Sequence, residues 1–457
     1  MKFTCRLTAR LYKWLRGYCK SLHNLLHSYS LLLIMRRPIR LFAFVFLLLA
    51  AASAACRAAS ILIPMDETQK DHLKSYGIAF WILKNGEEVD WLLNYRGGSF
   101  MMKYNKTIED ECKIRGVSYE VLPDAKVNEI ITQITDPSVN MDVVKLEKAP
   151  RMAVYAPKTS LPWDDAVTLV LKYAEIPYDL VYDEQVLRGD LSKYDWLHLH
   201  HEDFTGQYSK FYMGFRFEPW YVEDVKTQEA MARKLGFAKV SKMKLAVAQH
   251  IRDFCANGGF LFAMCSGTDS FDIALAAANT DICESMFDGD GADPDAQDKL
   301  DYSATFAFQN FTLDMNPMSH RFSNIDDTYT RQVDRTRDFF TLFDFSAKWD
   351  VVPSMLTQDH DKVIKGFMGL TTAFNEKYIK PGVTIMGEMK TANEARYIHG
   401  EYGKGQWTFY GGHDPEDYQH AIGDPPTDLS LHPNSPGYRL ILNNVLFPAA
   451  RKKKQKT

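Results

Sequence analysis

From residue 60 onward, short apolar runs alternate with stretches whose apolar positions recur every three or four residues, the pattern of strands interleaved with amphipathic helices. Residues 61–63, 88–93 and 118–122 read as strands, and residues 69–80 and 124–134 as helices. Strands alternating with helices predict a parallel sheet, so residues 60–148 are expected to form a small α/β domain. After Lys148-Ala149-Pro150 the pattern restarts, with a strand at 152–155, a helix at 163–175 and strands at 178–182 and 196–200. An aromatic-rich loop, 204–221, precedes a long helix over 227–256. A buried strand, 259–264, then enters Cys265 and a helix that starts near Thr268. Residues 287–350 break the pattern with an acidic loop and short β-like pieces, read as an inserted cap. Regularity returns at 383–387, 395–398, the strand 406–410 and a closing helix, 438–446. The expected fold class is α/β, with two doubly wound (flavodoxin- or Rossmann-like) parallel-sheet domains, 60–148 and 151–450, whose ligands sit at the carboxyl ends of strands.

Ahead of this pattern, Arg36, Arg37 and Arg40 precede an apolar run, 41–52, and the small residues Ser53, Ala54 and Ala55. That is the layout of a secretory signal peptide, and the run is shorter than the ~20 residues needed to span a bilayer. Residues 35–59 are therefore read as the signal peptide, and 1–34 as an upstream extension from an early start codon. Ser53-Ala54-Ala55-Cys56 is a poor lipobox, which leaves a lipid anchor open. The expectation is an exported, periplasmic or cell-envelope protein that meets the membrane only through export or such an anchor. The formal net charge is −4 with both signs spread along the chain, so no nucleic-acid partner is expected. Small-molecule, peptide or carbohydrate ligands fit better, and the basic tail 451–457 reads as a solvated end. Of seven cysteines, four (Cys112, Cys255, Cys265 and Cys283) lie beyond the presequence. That is too few for a disulfide scaffold, so at least one free thiol is expected.

The turn Ala263-Met264-Cys265-Ser266-Gly267 places a thiol among small residues where the buried strand meets the helix. Such an elbow holds a nucleophile on a tight turn, while the helix N-terminus lowers a thiol's pKa and offers amides to an oxyanion. Buried cysteine is also ordinary core filling, and Cys265 carries both readings. The candidate base is His413, just past strand 406–410 in Gly411-Gly412-His413-Asp414-Pro415-Glu416, with Glu416 or Asp414 orienting the imidazole. The densest ligand cluster is His198, His200, His201, Glu202 and Asp203, at a strand's carboxyl end. Alternation puts His198 and His200 on one face, so with Asp203 they form a candidate divalent-metal site. His200, His201 and Glu202, with Gly267 and Trp220, are read alternatively as lining a substrate pocket. No organic cofactor is expected, and a divalent metal is left open. The acidic stretch 288–295 lacks calcium-loop spacing, and Arg96-Gly97-Gly98-Ser99 reads as a tight turn before an anion nest.

A strand–Cys–Gly–helix elbow followed far downstream by a strand and His-Asp-Pro-Glu resembles the class I glutamine amidotransferase fold, over residues 151–450. The resemblance implies that Cys265 attacks the glutamine amide and that His413 and Glu416 serve as base. Ala263 stands where the family's Gly-x-Cys-x-Gly has its first glycine, and Asp414 is inserted ahead of Pro415-Glu416. With Trp196-Leu197-His198-Leu199-His200-His201-Glu202-Asp203-Phe204 and the ending Pro448-Ala449-Ala450-Arg451-Lys452-Lys453-Lys454, most of the mature chain also resembles exported bacterial proteins labelled asparagine synthetase B. Cys265-Ser266-Gly267-Thr268-Asp269-Ser270 aligns with the Ser-Gly-Gly-x-Asp-Ser pyrophosphatase loop of asparagine synthetases, keeping Gly267, Asp269 and Ser270 but losing one phosphate-cradling glycine. No cysteine follows Met1 or Met35, as it does the initiator of those synthetases. The expected function is an exported cysteine-dependent amide hydrolase or acyl transferase, and the rival reading is a non-catalytic carbohydrate- or peptide-binding protein on the same fold.

Overall fold

The computed structural model describes residues 58–157, 161–328, 333–419 and 421–450. The upstream extension, the apolar run, Cys56 and the basic tail lie outside these residues. Among the described residues no helix is long and apolar enough to cross a membrane. Helices combine with parallel and antiparallel strand pairs in an α/β fold.

A five-stranded sheet contains β1 (Ala58–Ile63), β2 (Val89–Leu93), β3 (Ser99–Lys103), β4 (Glu120–Pro123) and β5 (Asp142–Leu146), in the order β4-β1-β3-β2-β5. The pairs β1/β3, β2/β3 and β2/β5 are antiparallel, which corrects the parallel sheet expected for residues 60–148. Only residues 94–98 join β2 to β3, whereas a parallel pair needs a crossover of roughly a dozen residues. Arg96 anchors that turn through Asp66 (2.6 Å) and Glu120 (2.6 Å), so the tight-turn reading of this segment fits. Helices α1 (His72–Lys84), α2 (Lys106–Arg115) and α3 (Asp124–Thr135) accompany the sheet. Asp71 caps α1 by accepting the Lys74 N–H at 2.8 Å, and Leu73, Tyr76, Phe80 and Leu83 give the helix a continuous buried stripe.

The larger sheet opens with β6 (Met152–Tyr155), α4 (Ala166–Tyr173), β7 (Asp179–Val181), α5 (Asp183–Leu187) and β8 (Trp196–Leu199). Next come α6 (Tyr212–Phe215), α7 (Pro219–Lys234), α8 (Val240–Ala256), β9 (Phe260–Met264), α9 (Ser266–Ala276) and α10 (Ser285–Asp288). The chain closes through β10 (Phe339–Leu342), α11 (Val351–Leu356), β11 (Val363–Lys365), β12 (Phe374–Asn375), β13 (Thr384–Met389), β14 (Glu394–Tyr402), β15 (Gly405–Tyr410) and α12 (Pro436–Leu446). The single helix expected over 227–256 is two helices, α7 and α8, separated around Gly236, which takes φ +84°. Strand order is β11-β10-β13-β14-β15-β9-β8-β6-β7, with β12 on β14. The run β7-β6-β8-β9-β15 is parallel, and the strands beyond it pair antiparallel.

Alternate residues of the parallel strands enter two cores, as a pleated strand requires. Met152, Val154, Trp196, Phe262, Met264 and Tyr410 pack with α4 and α12, while Ala153, Tyr155, Leu197, Leu261, Ala263 and Phe409 pack with α5, α8 and α9. Helix α1 belongs to the first core, and the Tyr76 hydroxyl donates to Asn443 of α12 at 2.5 Å. Register fixes where the chemistry sits: Tyr155 pairs with Leu199, Leu199 with Ala263, and Met264 with Tyr410. The carboxyl ends of β6, β8, β9 and β15 therefore line up, and the segments leaving them carry Asp165, His200, Cys265 and His413.

Candidate active site at the carboxyl ends of the parallel strands

Cys265 stands between the last residue of β9 and the first of α9 with φ +50° and ψ −138°. Positive φ in a non-glycine residue is strained, at about 1–3 kcal/mol, and it is the conformation an elbow needs to turn a side chain up from a strand end. The thiol is not open, since Cys265 is 1 % exposed. The segment 368–372 lies over it, with the Leu370 N–H donating to Sγ at 3.3 Å. Gly369 is required there: a Cβ on it would stand 3.0 Å from Sγ and 3.0 Å from the His413 backbone nitrogen. The sequence led to the expectation of a lowered thiol pKa, and the structure reverses it. Burial pushes Cys265 up, against the N–H groups of Thr371, Ser266 and Leu370 that favour the thiolate.

Gly267 packs directly against the end of β8. Its N–H donates to the His200 carbonyl at 2.7 Å, and a Cβ would lie 2.3 Å from that oxygen. The start of α9 is thereby clamped to the end of β8. The Gly267 amide is therefore already engaged within the protein. Asp269 and Thr371 tie the covering segment to α9 through a 2.7 Å bond, and Asp326 accepts the Thr372 N–H at 2.6 Å.

His413 follows β15 and is held by its backbone N–H on Met368 O (2.9 Å). Its ring Nδ1 lies 3.1 Å from His200 Nε2, and its ring stacks with His201 at 5.7 Å between centroids. His200 Nδ1 in turn lies 3.4 Å from Asp165 Oδ1, and His198 Nε2 lies 3.4 Å from Asp165 Oδ2. Asp165 also caps α4 by accepting the Thr168 N–H at 2.9 Å. Asp165, His200 and His413 thus follow one another at 3.4 Å and 3.1 Å. Glu416 is paired instead with His432 at 3.2 Å, and buried Asp414 accepts the backbone N–H of Glu416 at 2.9 Å. Asp165 was not singled out from the sequence, although an aspartate just ahead of an apolar helical pattern is an N-cap signal.

The remaining predicted residues divide between support and pocket lining. Asp203 accepts from the Thr205 N–H (2.7 Å), the Thr205 hydroxyl (2.6 Å) and the Ser209 N–H (2.8 Å), so its carboxylate pins the loop after β8. His198 Nδ1 lies 3.1 Å from Phe262 O, and burial lowers its pKa against the opposing pull of Asp165. The expected metal set His198, His200 and Asp203 is therefore corrected: the side chains positioned to share an ion are His200, His201 and His413, or Asp165, His198 and His200. Glu202 and His201 border a void of ≈ 20 Å³ with Trp163, Trp220, Tyr182 and Asp224. Burial pushes the Glu202 carboxyl up to about 8. Trp220 meets Trp163 edge-on at 5.2 Å, and Trp163 meets His201 edge-on at 5.3 Å, so Trp163 stands between the aromatic loop and the histidines.

No family model and no curated protein matches this chain. Among solved structures, the cytoplasmic protein STM3548 from Salmonella typhimurium overlaps 66% of this chain and 100% of its own, at TM-score 0.33 and 10% identity. The cytoplasmic protein STM1381 from Salmonella typhimurium LT2 overlaps 66% and 99%, at TM-score 0.30 and 12% identity. Gan42B, a GH42 β-galactosidase from G. stearothermophilus, overlaps 58% of this chain and 28% of its own, at TM-score 0.23 and 14% identity. Likenesses this loose assign neither a family nor an activity.

Proposed function

We propose that this chain is a cysteine-dependent amide hydrolase or acyl transferase on a doubly wound domain of the class I glutamine amidotransferase type, exported as the pattern at residues 36–55 suggests. The observation that carries the reading is the backbone of Cys265, a strained strand-to-helix elbow beside the His413 turn. The parallel run β7-β6-β8-β9-β15 supports the fold assignment, because counted along the chain it is the flavodoxin order 2-1-3-4-5.

In this reading Asp165 holds the Nδ1 proton of His200, so His200 Nε2 accepts from His413 Nδ1. That leaves the lone pair of His413 on Nε2, the tautomer of a general base. Cys265 Sγ is not within hydrogen-bond reach of His413 Nε2 with segment 368–372 closed, so in this reading the base takes the thiol proton once that segment lifts, as Sγ bonds to the acyl carbon, and returns it to the leaving amine as the C–N bond breaks. Water then cleaves the thioester. In this reading the Ser266 N–H, the first amide of α9, turns from the Cys265 sulfur to the developing oxyanion. Substrate entry needs segment 368–372 to lift.

The test is covalent trapping with a diazoketone analogue of glutamine, read by peptide mass spectrometry. Label on Cys265 is expected, slowed about 10²–10⁴-fold in His413→Ala. Labelling of Cys265 no faster than of Cys112, Cys255 or Cys283 sinks the reading. The covered thiol favours a second reading, a ligand-binding protein using the Trp163–Trp220 cluster. It predicts tryptophan-fluorescence saturation by an oligosaccharide or peptide that survives Cys265→Ala.

A further inference from the structure

Three histidine rings converge where the carboxyl ends of β8 and β15 meet. Successive residues of an extended strand face opposite sides of the sheet, yet His200 and His201 turn toward the same point. The chain leaves β8 at Leu199 and bends at His201, which swings both rings onto His413. Ring centroids lie 4.9 Å apart for His200 and His201, 4.4 Å for His200 and His413, and 5.7 Å for His201 and His413. One ring nitrogen from each falls within 4.8 Å of the other two. Two imidazoles on one tetrahedral zinc, each at about 2.0–2.1 Å, stand about 3.3 Å apart, and His200 Nε2 lies 3.1 Å from His413 Nδ1.

The surroundings have the character of a ligand shell. His200 and His413 are buried, and His200 directs its other nitrogen at Asp165, the carboxylate–histidine arrangement that fixes a metal-binding tautomer. Trp163 packs its ring at right angles against His201 and limits that ring's freedom. The other acidic and thiol group of comparable spacing, Asp281, Cys283 and Asp288, already has a cation: Lys239 lies 2.7 Å from Asp281 and 3.1 Å from Asp288.

We infer that His200, His201 and His413 form a zinc-class divalent metal site, with three neutral imidazoles as ligands and a fourth position for water or a ligand oxygen. The inference goes beyond the thiol chemistry and bears on it through one residue. A lone pair of His413 given to a metal is not available to take the Cys265 proton, so zinc acts as an inhibitor of any reaction at Cys265 and a chelator restores it.

The experiment is zinc titration of the chelator-treated, dialysed mature chain by calorimetry, with Co²⁺ absorption as a second readout. One ion per chain is expected, with visible bands of four-coordinate Co²⁺ and no thiolate-to-cobalt band in the near ultraviolet. His201→Ala is expected to weaken binding at least 10-fold, and Asp165→Asn by about 10–100-fold. Cys283→Ala is expected to bind as the unaltered chain does. Cys265→Ala, which ends the proposed thiol chemistry, also keeps its zinc, so the two ideas fail separately. Should His201→Ala disturb the fold, the unaltered chain still decides the matter through stoichiometry and its cobalt spectrum. No uptake above the dialysis blank, full affinity in His201→Ala, or a thiolate band overturns the site.

Discussion

Asp269 lies in the first turn of α9, buried, and burial pushes its carboxyl up to about 8, with Asp326 adding to the rise. In the unfolded chain the same group titrates near 3.8. Between those values the folded protein keeps a proton that the unfolded chain has released, so this residue makes stability fall as pH rises from about 4 to about 8. Asp269→Asn, which holds the Thr371 bond without an ionisable group, is expected to flatten that decline. Thermal melts of both proteins at three pH values across the window check it, and equal slopes refute it. Gly267 makes a simpler case. An added methyl meets the His200 carbonyl at 2.3 Å, so Gly267→Ala is expected to cost about 1–3 kcal/mol, read as a lower denaturation midpoint.

At the scale of elements, segment 366–372 is fastened from below by Arg396 on β14. The guanidinium donates to Phe367 O and Thr372 O at 3.3 Å each and pairs with Asp338 at 2.8 Å and Glu394 at 3.6 Å, all buried. Arg396→Leu removes the buried cation that faces Asp338 and Glu394, a loss of about 3–5 kcal/mol, and frees the segment. Faster hydrogen exchange at 366–372 together with a lower melt is the expected result, and unchanged exchange there argues against the fastening. This segment also marks the limit of what the sequence made legible. The elbow at Cys265 and the turn at His413 could be read because each is a local strand-end pattern. The cover on Cys265 could not, since Leu370 lies 105 residues away in the chain and its contact depends on the packing of β14 and β15. Asp165 was hidden differently, by having a sufficient local role as a helix cap. The antiparallel small sheet was missed because the strand 99–103 begins inside a turn signal, and without it the alternation of helices and strands mimics a parallel unit.

At the scale of the molecule, both sheets depend on the contact between α1 and α12. Asn443 accepts from Tyr76 and donates to Leu356 O at 3.0 Å and Gln358 O at 2.9 Å, while Arg439 donates to Met65 O at 3.0 Å and Gly97 O at 2.8 Å. Helices shared between sheets couple their melting, so one calorimetric transition is expected, with equal calorimetric and van't Hoff enthalpies. Asn443→Ala removes three buried hydrogen bonds; Leu356 O keeps the Tyr397 hydroxyl at 3.3 Å, while the Tyr76 hydroxyl and Gln358 O lose the Asn443 amide, at about 1–3 kcal/mol each where no water replaces it, and the change is expected to lower that transition or split it in two. Splitting would show Trp91, in the small sheet, and Trp407, in the large one, reporting different midpoints.

The lid over Cys265 has a consequence for survival under oxidative attack. Peroxide reacts with thiolate that it can reach, and here reach is set by how often segment 368–372 lifts. At low dose, damage is expected to climb in proportion to peroxide; at high dose it levels at the rate of lifting, a ceiling set by the protein and indifferent to the severity of the insult. Sulfenic-acid formation at Cys265 followed against peroxide concentration measures that ceiling, and Arg396→Leu is expected to raise it.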